Sequence, residues 1–139
     1  MPVDFRDASE RHWDDAGHLF ANIRLPNADH LFGLAAECAL KAVMLALGMR
    51  LRPTGRPEDP YAVHINRLWD EFITFAHSRG GAHYAAMLSG NPNPFYDWDV
   101  NQRYDHRTQF SQVIVINHQQ GAEETMQVLE TAVLNGDVA

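Results

Sequence analysis

The chain has a single cysteine, Cys38, in 139 residues, so no disulfide can form within it. Cys38 reads as a small buried hydrophobe rather than a nucleophile. Lysine is equally scarce, with Lys41 the only one among eleven Lys and Arg. Basic residues stop at Arg107, after which come Glu123, Glu124, Glu130 and Asp137. A net charge of -7 argues against non-specific coating of nucleic acid and leaves a local basic patch as the route to an anionic ligand. No apolar run reaches membrane-spanning length without Glu37 and Lys41 interrupting it. The N-terminal MPVDFRDASER lacks the basic start and apolar stretch of a secretory signal. A cytoplasmic protein without membrane contact is therefore expected. Gly-rich phosphate loops, dinucleotide fingerprints and GxSxG elbows are missing too, and no cofactor is expected.

What is present is helical periodicity, organised around Ala28 to Gly48, which is apolar nearly all round. A helix of that kind must be wrapped by others. Its polar residues His30, Glu37 and Lys41 fall with Gly33 at spacings of three and four, so they form one stripe. Asn27 or Asp29 is the expected cap and Gly48 the expected stop. Before it, Asp7 to Ile23 reads as a helix with Trp13, Ala16, Phe20 and Ile23 on one face, opened by an Asp7/Glu10 capping box and stopped by Pro26. Asp59-Pro60 resembles an N-cap followed by a first-turn proline. The stripe Ile65, Leu68, Trp69 and Phe72 makes a third helix ending before Gly80-Gly81, and Ala82 to Ser89 has room for a short one. Gly90 to Arg107 has no period and three aromatics, Phe95, Tyr96 and Trp98, ahead of Arg103-Tyr104, so it is a loop packed down by its rings or a functional one. Val113 to Ile116 is either extended or leads into a last helix, Asn117 to Leu134. The expectation is one all-α domain over residues 1–139, an antiparallel four- to five-helix bundle with a central apolar helix.

Three segments in order carry a family resemblance: AAECALKAVMLALG, HINRLWDEF and WDVNQRYD. The first resembles the central helix of HEPN-domain proteins with its Glu-x-x-x-Lys step. The second resembles their helix that opens with His, and the third their Trp…Arg-Tyr segment before the last helix. Together they span about Ala28 to Leu134. The resemblance implies a helical homodimer that binds RNA or a nucleotide, as a non-catalytic partner in a toxin–antitoxin, defence or nucleotidyltransferase system. Catalytic relatives cut RNA with an Arg and a His four to six residues apart near the start of the last helix. Here Arg6…His12, Arg11…His18 and Arg24…His30 fit that spacing, but all lie early in the chain, and chance alone gives about two. In the expected place Arg103 has His106 too close, and Arg107 has His118 too far.

The candidate site follows from these residues. Arg103 and His106 are the candidate catalytic pair of an alternative function, a metal-independent ribonuclease, with His as acid or base and Arg on the phosphate. Glu37, Lys41, Arg103, Tyr104, Arg107, Arg50 and Arg52 are the candidate ligand-binding residues. Arg103 is expected to reach into the bundle and pair with Glu37 or with an Asp of its loop. Glu37 and Lys41 read either as base and phosphate contact or as a partly buried ion pair that fixes packing. The latter suits a third option, a pure dimerisation or interaction module. Asp15 and His18 have a metal-ligand spacing without a matching pair on another helix, so no metal site is expected.

Overall fold

A computed structural model describes residues 2–139 and is all-α. The helices are α1 (Phe5–Ala21), α2 (Leu25–Ala46), α3 (Ile65–Ser78), α4 (Ala82–Ser89) and α5 (Gln112–Leu134), with two 3₁₀ turns, Val100–Tyr104 and Arg107–Gln109, between α4 and α5. The central helix is the expected one: α2 packs against α1, α3, α5 and the first 3₁₀ turn. Phe32, Ala36, Leu40, Val43 and Met44 along it are buried in one core with Trp69 and Phe72 of α3 and Val115, Ala122 and Leu129 of α5, and Trp13 and Phe20 of α1 pack edge-on against Phe32. Burying such side chains contributes roughly 1.5–3 kcal/mol each, which is why a helix greasy on most faces occupies the centre.

Several boundaries differ from the expected ones. Asp4, not Asp7, caps α1, accepting a hydrogen bond from the Asp7 amide at 2.9 Å. Pro26 does not merely stop α1; it sits in the first turn of α2, where its missing N–H costs nothing. Neither Asn27 nor Asp29 caps α2, because Asp29 is already inside the helix and fully buried. Gly48 does end it, at a φ of 101° that other residues rarely adopt. Asp59-Pro60 does not start α3; the helix begins at Ile65 with His64 at the cap position, and Asp59 instead accepts a bond from Arg52. Val113 to Ile116 is helical, since Ser111 caps α5 by accepting from the Ile114 amide.

No helix among the described residues is long and apolar enough to cross a membrane.

Candidate functional site

Two histidine–carboxylate networks and one cleft are built around α2. The first network grows from Asp29. Its Oδ1 accepts from Nδ1 of His118 on α5 at 2.6 Å, and its Oδ2 accepts from Nε2 of Gln102 in the first 3₁₀ turn at 2.5 Å. The same turn of α2 takes the Trp98 indole N–H on the Asp29 carbonyl at 3.0 Å. His118 uses its other nitrogen, Nε2, on Asp97 at 2.7 Å. Asp99 caps the 3₁₀ turn through a reciprocal bond with Gln102, which aims the Gln102 amide inward. One buried imidazole thus ties α5, α2 and the aromatic loop together. Burial alone pushes the His118 pKa down, but the two carboxylates outweigh it and hold it above the usual value.

The second network lies two turns further along α2. Glu37 accepts from Lys41 Nζ at 3.0 Å and from His64 Nδ1 at 2.9 Å. The pairing expected of Glu37 and Lys41 is present and both are buried, but the third member is His64, not Arg103. Burial raises the Glu37 pKa, yet the His64 hydrogen bond and the Lys41 charge win and leave it below the ordinary carboxylate value. The Glu37 hydrogen bond holds His64 high. His30, two stripe positions before Glu37, goes the opposite way: burial first, then the Arg103 and His12 charges, push it down. Its Nδ1 is buried and has no hydrogen-bond partner among the described residues. Trp98 lies against both rings, stacked on His30 at 6.0 Å between centroids and tilted to His64 at 6.5 Å. It gets this close to α2 because position 33 is glycine: a Cβ there would stand 2.1 Å from the indole. The stripe expected on α2 is therefore real, and an indole lies on it.

Arg103 does not enter the bundle. Its Nη1 donates to the Val100 carbonyl at 2.8 Å and its guanidinium lies over the Tyr104 ring at 4.7 Å, both in exposed positions. The local carbonyl closes a turn, and the aromatic face offers a cation–π contact without the desolvation that burial would cost. Next to it is a cleft of about 700 Å³ between the α1–α2 turn and the two 3₁₀ turns, lined by Arg24, Pro26, Tyr104, Asp105, His106 and Arg107 among others. Ile23 at its lip has a φ of 59°, a strained setting for a β-branched residue. His106 Nδ1 accepts from the Thr108 amide at 3.2 Å, so a neutral ring carries its proton on Nε2, which has no partner within the described residues.

The expected site residues therefore separate. Tyr104, His106 and Arg107 share the cleft, with Arg103 stacked on its tyrosine. Glu37 and Lys41 are internal. Arg50 and Arg52 follow the C-terminal end of α2, about 30 Å of helix away from the cleft beside its N-terminal end. There Arg50 lines a smaller cavity with Glu58 and Arg79, while Arg52 is paired with Asp59 at 2.9 Å. They do not join the other candidates. Sequence reasoning missed Asp29, Asp97, Gln102, His118, His64 and Arg24 as members of these groups. For His118 a signal existed: it falls on the buried face of α5 with Val115, Ala122 and Thr125.

Comparisons with protein-family models, with curated proteins and with solved structures return no match, so the site is read from its own geometry.

Proposed function

We propose that the protein is an HEPN-like RNA- or nucleotide-binding protein whose ligand sits in the cleft between the α1–α2 turn and the 3₁₀ turns. On this reading it is a cytoplasmic homodimer and a non-catalytic partner in a toxin–antitoxin, defence or nucleotidyltransferase system. The observation that carries it is charge placement. In a chain of net charge -7, Arg24, Arg107 and His106 meet in one cavity of about 700 Å³, beside a Tyr104 ring that is 75% exposed. That volume suits a small ligand. Guanidinium groups grip phosphate oxygens through paired N–H donors, and an exposed ring offers a stacking face to a base.

The test is fluorescence anisotropy with a labelled oligouridylate and calorimetry with ATP, both at low salt. Arg24→Ala and Arg107→Ala are each expected to weaken binding by about tenfold, the value of a charge-assisted contact. Arg67→Ala, on the exposed side of α3, is expected to leave it unchanged. No binding of either probe would end the proposal.

One observation favours a second reading, in which RNA is also cut. Buried Glu37 orients His64 through Nδ1 and leaves Nε2 on a side chain 48% exposed, the arrangement of a carboxylate-held general acid or base. Here the acid–base group is His64 rather than His106. Cleavage of an oligoribonucleotide by the wild type, lost in His64→Ala, is its test.

A further inference from the structure

His118 makes two hydrogen bonds to two carboxylates, and proton counting decides what that requires. Nδ1 stands 2.6 Å from Asp29 and Nε2 2.7 Å from Asp97. A carboxylate only accepts, and a neutral imidazole has one N–H to give. Both contacts are satisfied together when the ring carries both protons. Asp29 already takes the Gln102 amide on its second oxygen, so both of its oxygens act as acceptors. Asp97 is 37% exposed at its side chain and so keeps contact with solvent.

The surroundings supply no competing charge. From α2 the titratable group facing the ring is Asp29, while His30 beside it faces Trp98. The aromatic loop brings Asp97 and the Phe95 ring, stacked at 5.4 Å. Neutral Gln102 is what the first 3₁₀ turn contributes, and Arg103 of that turn is held outside by Val100 and Tyr104. Along α5 itself no other charged or titratable residue occurs between Ser111 and Ala122.

We propose that His118 is a proton-operated clasp on the aromatic loop. With hydrogen on both nitrogens it ties Asp97 to Asp29 and holds the Tyr104–Arg107 wall of the cleft in place; on losing one it releases Asp97. The choice of Asp97 follows from solvation. Asp29 is 1% exposed and has nowhere else to put its charge, whereas Asp97 can turn to water. The unprotonated ring then keeps its single N–H on Asp29 and presents a lone pair to Asp97, which repels it. The loop loses one of its polar ties to the helices, keeping those of Trp98 and Gln102 to Asp29, of Asn93 to the Asn66 carbonyl and of Asn117 to the Pro94 carbonyl. Coupling to ligand rests on the cleft being the binding site. In that case linkage is reciprocal, and a bound anion raises the affinity of His118 for its second proton.

Nuclear magnetic resonance of the full-length protein reads the clasp without any ligand. The nitrogen shifts of the His118 ring report whether it carries one proton or two, and amide exchange over residues 96–105, corrected for intrinsic rates, reports release. Doubly protonated His118 at about pH 5 is expected, with protection in that segment falling as pH rises through its raised pKa. Labelled oligouridylate should lose at least about fivefold in affinity across the same transition. Asp97→Asn separates the clasp from the exposed His106 of the cleft. An asparagine amide donates to the unprotonated Nε2, so the loop stays tied and the alkaline loss of both protection and affinity flattens. A singly protonated His118 at about pH 5, or an Asp97→Asn protein that loses protection as the wild type does, overturns the proposal. If oligouridylate fails to bind at any pH, the ligand reading falls, while ring shifts and exchange still decide the clasp.

Discussion

The two histidine–carboxylate networks on α2 use the same chemistry at different depths. Asp29 and His118 are each 1% exposed, and every polar atom of that pair points at a partner on another element. Glu37 is nearly as deep, but its histidine partner stands half in water at the start of α3. The deep network spans α2, α5 and the aromatic loop, segments far apart in sequence, so it fixes tertiary geometry. The shallow one consists of a local i, i+4 ion pair plus a single reach across to α3, and it leaves one imidazole nitrogen available to a ligand. Depth therefore separates a histidine whose two nitrogens are both taken up by the fold from one that keeps a nitrogen free for a ligand.

The largest expected effect falls on the deep side. Asp29→Ala removes both acceptors at once and leaves the His118 charge and the Gln102 amide without their shared partner. Breaking a buried ion pair in this way costs about 3–5 kcal/mol. Chemical denaturation should show it as a lower midpoint with an unchanged slope; a loss no larger than that of a surface substitution would erase the distinction between the networks. Gly33→Ala comes next, at about 1–3 kcal/mol for overpacking. The added methyl would collide with the Trp98 indole, which touches both networks, so it should loosen the loop and disturb His30 and His64 together. Near-ultraviolet dichroism of the tryptophans is the direct readout.

How far these networks could be read beforehand follows the same division. Local pattern revealed the bundle, the central helix, the terminating Gly48 and the Glu37–Lys41 step, because each is a matter of spacing within one element. The stripe His30, Gly33, Glu37 and Lys41 was visible for the same reason. What covers it was not: His64 and Trp98 come from other segments, and nothing in the spacing of α2 names them. Asp29 was misjudged as a cap because Asp near a helix start usually is one. Its real partner lies 89 residues away, a distance no local rule bridges. Arg103 was expected inside because a buried Glu37 needs a cation; Lys41 and His64 met that need first, and a nearby carbonyl and tyrosine ring satisfied the guanidinium outside.

Acidity and alkalinity should strain the two networks differently. Glu37 has a folded pKa below its unfolded one, so its contribution is complete above the usual carboxylate range and is lost as pH falls through the lowered value. His118 and His64 have raised folded pKa values, so theirs is complete below the usual histidine range and is lost as pH rises through the raised ones. Melting temperature should accordingly fall on both sides of a mildly acidic optimum. Glu37→Gln should make the acid limb shallower. Asp97→Asn should flatten the alkaline limb more than His64→Ala does, because the half-exposed pair is screened by water and the buried one is not. Equal flattening by the two variants would mean that depth does not matter here.

The smallest expected effect is also the most useful one. His64→Ala should cost less than about 1 kcal/mol, in the range of a solvent-screened pair. Glu37 keeps Lys41 at 3.0 Å as its counter-charge, and the cap position of α3 makes no side-chain cap bond that could be lost. A protein that melts almost unchanged while losing an RNA-cutting activity would locate that activity in the imidazole itself rather than in the fold it stands on. Rescue of cleavage by added imidazole, absent in an Asp29→Ala protein, would make the same separation from the other side. A His64→Ala protein that unfolds as readily as Asp29→Ala would instead show that the shallow network carries structure too, and the half-exposed histidine would lose its standing as a free acid–base group.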